Sequence, residues 1–433
     1  MNTTHRLTAT GPTYADLAAH LRCHGPLPEV PAAHIIDTVE RSGLTGRGGA
    51  AFPTGRKLRT VADNARRSGS AIVIANGCEG EPASSKDRNM LLKAPHLILD
   101  GIALAARAVG AERAHLCVHE GQDDVISTLR RALAERKAAG VGIGVGGGVA
   151  DADVSVVSVP NRYVASEESA LVHLLNGGPA LPIYTPPRPF ERGVRGRPTL
   201  VDNVETLAHL ALVVRHGADW FRMAGTADAP GTTLVTLGGA VTAPGVYEVE
   251  LGLSGADLLA VAGGPSEPLG AVLTGGYFGA WMRAQRFAAT PVSPHTLQSA
   301  GGAMGAGIFL AFPASSCGLA ETARIATYLA QQSANQCGPC LNGLPALADA
   351  LTALAVRGGR KAAGAITSLA PYITGRGACR HPDGTVRLIL SALTEFADDV
   401  RNHTNRGPCA GLARTPLFPV PTTPAPTRTP QKV

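Results

Sequence analysis

Apolar positions along the chain follow two alternating rhythms. HIIDTVERS, starting just after Ala32, spaces them as one face of a helix, whereas AIVIANG from Ala71 to Gly77 is an unbroken apolar run ending in a turn, as in a buried strand. HLILDGIALAARAVG then predicts a helix closed by Gly110, AHLCVHE a second strand, and DDVISTLRRALAERKAAG a long amphipathic helix closed by Gly140. The glycine-rich GVGIGVGGGVADAD predicts a flexible connection into a third strand, VSVVSVP, followed by the helix of ASEESALVHLLNGG. Strands alternating with helices build a parallel α/β sheet. The proline-rich, basic PALPIYTPPRPFERGVRGRPT predicts a long loop.

The rhythm changes near Gly231, where TTLVTLGGAV, PGVYEVEL and LSGADLLAVAGG predict two strands and a helix of a small α+β module. Beyond Ser315, LAETARIATYLAQQS, LNGLPALADALTALAV and TVRLILSALTEFADDVRN predict three helices. The middle one sets Leu344, Leu347, Ala348, Leu351, Leu354 and Ala355 on one face. TYADLAAHLRC predicts an amphipathic helix on a surface extension, and TPLFPVPTTPAPTRTPQKV a disordered tail. The expected organisation is an extension over 1–30, an α/β domain over 31–230, a small module over 231–300, a helical domain over 301–405 and a tail over 406–433.

Composition sharpens this picture in four ways. A chain of 433 residues, 45% apolar and 4% aromatic, predicts several domains with aliphatic cores. A formal charge of +6, with no Lys/Arg block interleaved with aromatics, argues against a nucleic-acid groove. No secretory n-region and h-region and no apolar run of 18 residues are evident, so the expectation is a soluble cytoplasmic protein, at most peripheral to the inner face of a membrane. Eight cysteines, sparse and irregular, do not form a disulfide framework; those that cluster point to metal or redox chemistry.

SGLTGRGGAAFPTGRK, from Ser42 to Lys57, contains Gly46-x-Gly48-x-x-Ala51, a loose dinucleotide fingerprint. A fingerprint of that kind follows a strand and opens a helix, and here a helical segment precedes it, so the Rossmann reading fails. What remains is a backbone that can approach a phosphate closely, with Arg47 and Lys57 supplying charge. NGCEGEPASSKDR follows the first strand directly, so Glu79, Glu81, Lys86 and Asp87 are candidates to orient a ribose or flavin ring, or form a solvated acidic loop. Glu167 and Glu168 open a helix, where capping alone accounts for carboxylates. Cys337-x-x-Cys340, with Cys379 beyond, suits iron–sulfur or zinc ligation.

In this order, and together with GRPTLVDNVET and GTTLVTLGGAVTAPGVYEV, these motifs resemble the flavin-bearing, NADH-oxidising subunit of bacterial complex I. The diaphorase subunits of soluble hydrogenases and formate dehydrogenases share that family, and the likeness runs from about Ala32 to Asp399. It implies a Rossmann-like FMN-binding α/β domain, a ubiquitin-like β-grasp (soluble-ligand-binding) module and a C-terminal helical bundle with an iron–sulfur motif. It further implies that Gly46, Arg47, Gly48, Gly49 and Lys57 contact FMN, and that Asn76, Asp202 and Asn203 bind the flavin. Phe52 and Glu81 would serve the nucleotide site, Glu79, Glu167 and Glu168 would lie beside the reacting ring, and Cys337, Cys340 and Cys379 would hold the cluster. The implied activity is hydride transfer from NADH or NADPH to FMN, then passage of single electrons through the cluster. The implied partners are a ferredoxin-like or thioredoxin-like iron–sulfur subunit and a membrane redox protein.

The sequence also departs from the family. Cys78 replaces an aspartate of the flavin loop, Thr185 and Arg188 replace a lysine and a phenylalanine of the nucleotide loop, and Ala334 replaces the first cysteine of the cluster motif. Three thiolates leave a [3Fe-4S] cluster, a [4Fe-4S] cluster with a non-cysteine ligand, or recruitment of Cys317. The alternative function is a redox adaptor that keeps the fold without oxidising NADH.

Overall fold

Pairing of the short apolar runs gives the first sheet. In the computed structural model, which describes residues 6–7, 16–141 and 153–421, β1 (Ala71–Asn76), β2 (Ala111–His119), β3 (Asp153–Val159) and β4 (Thr199–Asn203) lie parallel in the order β3-β2-β1-β4. β4 follows directly on the predicted loop, which ends at Thr199, in a stretch to which the sequence pattern assigns no element. Its five residues pair with β1 from Ile72 opposite Thr199 to Asn76 opposite Asn203. The helix Pro95–Val109, buried at every residue but Arg107, packs on this sheet with the helix Val204–His216, and Leu97, Ile98, Leu104, Leu207 and Leu210 join β1 and β2 in one aliphatic core.

The glycine-rich stretch does open a helix, Thr54–Ser68, which the sequence pattern does not predict. Only Leu58, Val61, Ala62 and Ala65 mark its buried face, in an otherwise polar segment. The N-terminal extension is no surface appendage. Leu7 is buried in the core, and His20, on the helix Leu17–His24, bonds Asp100 at 2.9 Å.

The second sheet has five strands: β5 (Thr232–Gly239), β6 (Gly245–Glu250), β7 (Leu269–Thr274), β8 (Ala280–Arg283) and β9 (Ile308–Pro313), in the order β6-β5-β9-β7-β8. β5 and β9 are parallel and the other pairs antiparallel. With the helix Gly255–Val261 lying on it, this is a β-grasp arrangement. β9 is its central strand, so helical structure does not begin at 301 as expected, and the chain divides into units Met1–Pro313 and Ala314–Val433.

The second unit is a helical bundle of Gly318–Gln331, Leu344–Val356, Arg360–Ile373, His381–Glu395 and Ala397–Arg406. The predicted last helix is two, separated at Phe396, and Arg360–Ile373 is a helix the sequence pattern does not predict. The 18 residues Pro339–Val356, with mean hydropathy 1.3, are long and apolar enough by composition to cross a membrane, contrary to the expected absence of such a run. In the bundle their apolar face, from Leu344 to Ala355, forms the core with Leu319, Ile366 and Ile389. The expected tail is ordered at its start. Phe418 is buried, and its amide donates to Glu321 at 2.9 Å. Residues 142–152 and 422–433, on which the remaining expectations of flexibility fall, lie outside the described residues.

Candidate functional site

Strand order locates the site. The chain leaves β1 toward β2 and β3 on one side and returns as β4 on the other, so a crevice opens beyond the carboxyl ends of β1 and β4, the position where open α/β sheets bind ligands. Asn76 and Asn203 end these strands opposite each other, with Asp202 beside Ala75.

Three segments converge there. The glycine loop is pinned at its base, where Gly46 N donates to Phe52 O at 2.8 Å and Thr54 N to Leu44 O at 2.9 Å. The turn above is tight, with φ of 112° at Gly49 and 50° at Ala51, and a Cβ at Gly48 would come within 3.3 Å of Asn203 Cβ. The backbone of Gly48 therefore lies directly against the end of β4. Lys57, in the first turn of Thr54–Ser68, reaches the same place. Its Nζ donates to Val201 O and lies 3.3 Å from Asp202 Oδ1. Asp202 is 4% exposed and its Oδ2 has no hydrogen-bond partner. Burial pushes its carboxyl up, against the pull of Lys57, and Glu168 is near enough to push the same way.

Arg47 behaves otherwise. Its guanidinium turns inward, donating to Thr45 Oγ1 at 2.9 Å and Thr232 O at 3.1 Å, with Nε 4.0 Å from Glu205. Its backbone amide donates to Thr206 Oγ1 at 2.8 Å. Arg47 thus fastens the loop, and the charge expected to face a phosphate is directed inside.

The acidic loop sorts its residues similarly. Asn76 donates to Ser166 O at 2.8 Å and accepts from Cys78 N at 3.1 Å. Glu79 accepts from the amides of Asp87 and Arg88 at 3.0 and 2.9 Å and from Ser84 Oγ at 2.6 Å, so it caps the helix Lys86–Lys93. Glu81 accepts from Tyr163 Oη at 2.8 Å and Tyr277 N at 2.9 Å, and burial pushes its carboxyl up to about 7. Cys78 is buried, and burial, with Cys117 adjoining, pushes its thiol well above the ordinary range.

Lys86 and Asp87 are not ring-orienting groups on a rim. Lys86 is 1% exposed and its Nζ donates to Asp87 at 2.7 Å and Glu205 at 2.8 Å. Asn203 donates to Asp87 at 2.6 Å and to Asn76 O at 3.3 Å. Glu205 also accepts from Thr233 Oγ1 and Leu234 N at 2.9 and 2.8 Å. A buried ionic network therefore underlies the floor of the crevice. Sequence reasoning missed Glu205, although its place after Asn203 at the start of a helix is a capping signal.

Glu167 caps the helix Glu168–Leu175, accepting from Ser169 N at 2.9 Å and Ala170 N at 3.2 Å, and burial raises its pKa. Ser169 Oγ in turn receives Ile183 N at 3.1 Å, which sets Tyr184, 76% exposed, one residue beyond that anchor. Nothing in the sequence singles out Tyr184, in contrast to its neighbours Thr185 and Arg188. Arg188 is exposed, with its backbone amide donating to Glu191 at 2.8 Å. Phe52, 45% exposed, has the Arg56 guanidinium 5.9 Å from its ring centre.

In the second unit, Cys340 is buried with Cys337 and Cys379 close by. Burial first, then those thiols, push its pKa up to about 12 while the Ser333 hydroxyl pulls the other way. Cys317 is not a member of this group. It caps the helix Gly318–Gln331 through a 3.4 Å bond from Ala320 N and faces His403 at 3.7 Å. The suggestion that Cys317 supplies a missing cluster ligand is corrected accordingly.

Comparison with known proteins agrees with this layout. Residues 39–212 match the model of the Nuo51 FMN-binding domain, and residues 320–403 that of the NADH-ubiquinone oxidoreductase-F iron-sulfur binding region. The chain is 31% identical over 392 residues to the F subunit of the NADH-quinone oxidoreductase of Mycobacterium tuberculosis (strain ATCC 25618 / H37Rv), covering 88% of this chain and 86% of the relative. It is 28% identical over 391 residues to NADP-reducing hydrogenase subunit HndC of Solidesulfovibrio fructosivorans, covering 89% and 79%. Among solved structures, NAD+-reducing [NiFe]-hydrogenase in the H2-reduced state superposes with a TM-score of 0.81 at 28% identity, covering 93% of this chain and 68% of that one.

Proposed function

The chain belongs to the family of FMN-binding and iron–sulfur-binding electron-transfer subunits of NADH-quinone oxidoreductases, and on that premise we propose how its own residues serve the reaction. It oxidises NADH or NADPH with FMN held beyond β1 and β4, and passes electrons through an altered iron–sulfur centre to a ferredoxin-like or membrane redox partner.

The observation that carries this reading is the unpartnered Oδ2 of Asp202, buried beside Lys57 at the switch point. A buried acceptor with no donor is costly, and the hydroxyl chain of FMN supplies donors. FMN bound there would supply the capacity to take up a hydride and give up two electrons one at a time. Gly48 and Gly49 let the loop backbone approach the ligand, Lys57 offers a cation to its phosphate, and Asn76 and Asn203 fix the floor. Glu167 and Glu168 flank the place where nicotinamide reaches the ring, while Glu79 and Glu81 act by holding the acidic loop in shape. Phe52 and Tyr184 are exposed aromatic faces available for stacking a base.

Three neighbouring thiols and the Ser333 hydroxyl suit a cluster held by three cysteines and one oxygen ligand or open position. The adaptor alternative rests on Arg188, an exposed cation where the family carries a stacking ring. Anaerobic purification decides between them. A yellow protein whose flavin absorbance bleaches with NADH or NADPH supports the oxidoreductase, and a colourless protein that FMN cannot reconstitute overturns it in favour of the adaptor.

A further inference from the structure

The second unit holds another group of potential metal ligands, apart from Cys337, Cys340 and Cys379. Cys317 Sγ, an imidazole nitrogen of His403 and Cys409 Sγ all lie within 4.8 Å of one another. The ring of His403 is oriented for ligation. Nδ1 is 3.2 Å from Leu354 O, a carbonyl that can only accept, so the proton sits on Nδ1. Nε2 then carries the ring's single in-plane lone pair; it lies 3.7 Å from Cys317 Sγ and receives the Cys409 amide at 3.0 Å, a hydrogen bond that an incoming ion would replace. A carbonyl behind the ligating imidazole is the usual support for a metal-bound histidine.

The spacing has the right size. With Zn–S near 2.3 Å and Zn–N near 2.0 Å, a tetrahedral ion separates its sulfur and nitrogen ligands by about 3.5 Å, against the 3.7 Å found. We propose that Cys317, His403 and Cys409 bind one Zn2+ ion, with a fourth position open on the half-exposed side of Cys409. On binding, the two thiols release two protons to solvent as two Zn–S bonds form, so the charge of the ion is cancelled within the site. The Ala320 amide, already donating to Cys317 Sγ at 3.4 Å, stabilises the thiolate so formed.

The site has a structural task. Gly411 lies so close to the backbone of Ser315–Cys317 that a Cβ there would come within 2.7 Å of Cys317 N. The ion would thus fasten the segment after Arg406 to the start of the bundle's first helix. This is independent of flavin and nucleotide, so it stands or falls separately from the proposed function.

The test is metal analysis of the full-length chain, purified anaerobically from zinc-supplemented cultures, beside Cys409→Ala and His403→Gln. About one zinc per wild-type chain, falling at least about tenfold in both variants with iron and flavin contents unchanged, is the expected result. Cobalt-substituted wild type should also show thiolate-to-metal charge-transfer absorption that weakens in Cys409→Ala. Cys409→Ser, at a half-exposed loop position, provides the same reading should His403→Gln fail to fold. Zinc at background in the wild type, zinc retained in the variants, or a Cys317–Cys409 disulfide in place of the ion by peptide mass would each overturn the proposal.

Discussion

Replacing Lys86 by methionine probes the buried network beneath the crevice. The substitution keeps the stem and deletes a charge that lies 2.7 Å from Asp87 and 2.8 Å from Glu205. Glu205 retains Thr233 Oγ1, Leu234 N and Arg47, whereas Asp87 retains the 2.6 Å bond from Asn203. Breaking a buried pair by removing one partner costs about 3–5 kcal/mol. Burial has already pushed Asp87 up to about 7, and without Lys86 its pKa rises further. A carboxyl whose folded pKa exceeds its unfolded value stabilises the fold at low pH and loses that contribution as pH rises through the folded value. The variant's deficit should therefore be smaller near pH 5, where protonated Asp87 no longer needs Lys86 and only the ionised Glu205 has lost its partner, and full at about pH 8.5. There, about 3 kcal/mol corresponds to roughly 6 °C in apparent Tm for a unit of this size. Differential scanning fluorimetry at both pH values measures it, and Lys86→Met/Asp87→Asn should recover part of the loss at high pH. A variant melting within about 2 °C of wild type at both pH values would refute the reasoning.

Other expectations follow from the same geometry. Lys57→Ala should weaken FMN binding by about tenfold or more through loss of a charge-assisted contact, read from flavin fluorescence titration; an unchanged Kd contradicts the assignment of Lys57 to the phosphate. Burial lifts the Glu81 carboxyl from 4.5 to about 7, so wild-type stability should fall as pH rises through that window. The loss should total about 3 kcal/mol at most, and Glu81→Gln, which still accepts from Tyr163 and Tyr277, should flatten the profile in urea melts at either end. Ala334→Cys should complete a four-cysteine set, raising iron to about four per chain and giving a reduced [4Fe-4S] EPR signal; identical iron content and spectra in variant and wild type would show that the position does not face the centre.

What the sequence made legible was local. The unbroken run Ala71–Asn76 and the capped helices declared themselves because strand and helix periodicity are written over a few neighbouring residues. β4 did not, since TLVDN is five residues ending in polar groups and becomes a strand by pairing with β1. The helix Thr54–Ser68 was masked by its charge, and β9 by its distance from β5. The site divides in the same way. Asn76 and Asn203 could be flagged singly, but their meeting spans 127 positions. Nothing near Arg47 announces that its charge is directed at Glu205, or near Cys317 that its neighbours are His403 and Cys409.

The glycine loop stands early in the chain, and the residues that fasten it come much later. Its fastenings are Val201 and Asp202 for Lys57, Thr206 for the Arg47 amide and Thr232 for its guanidinium, the last 185 positions downstream. A chain ending before Val201 carries the whole motif with none of these fastenings, and one ending before Thr232 lacks the bond that holds the Arg47 guanidinium. The loop's full set of fastenings is therefore present only in a chain that extends into the second sheet.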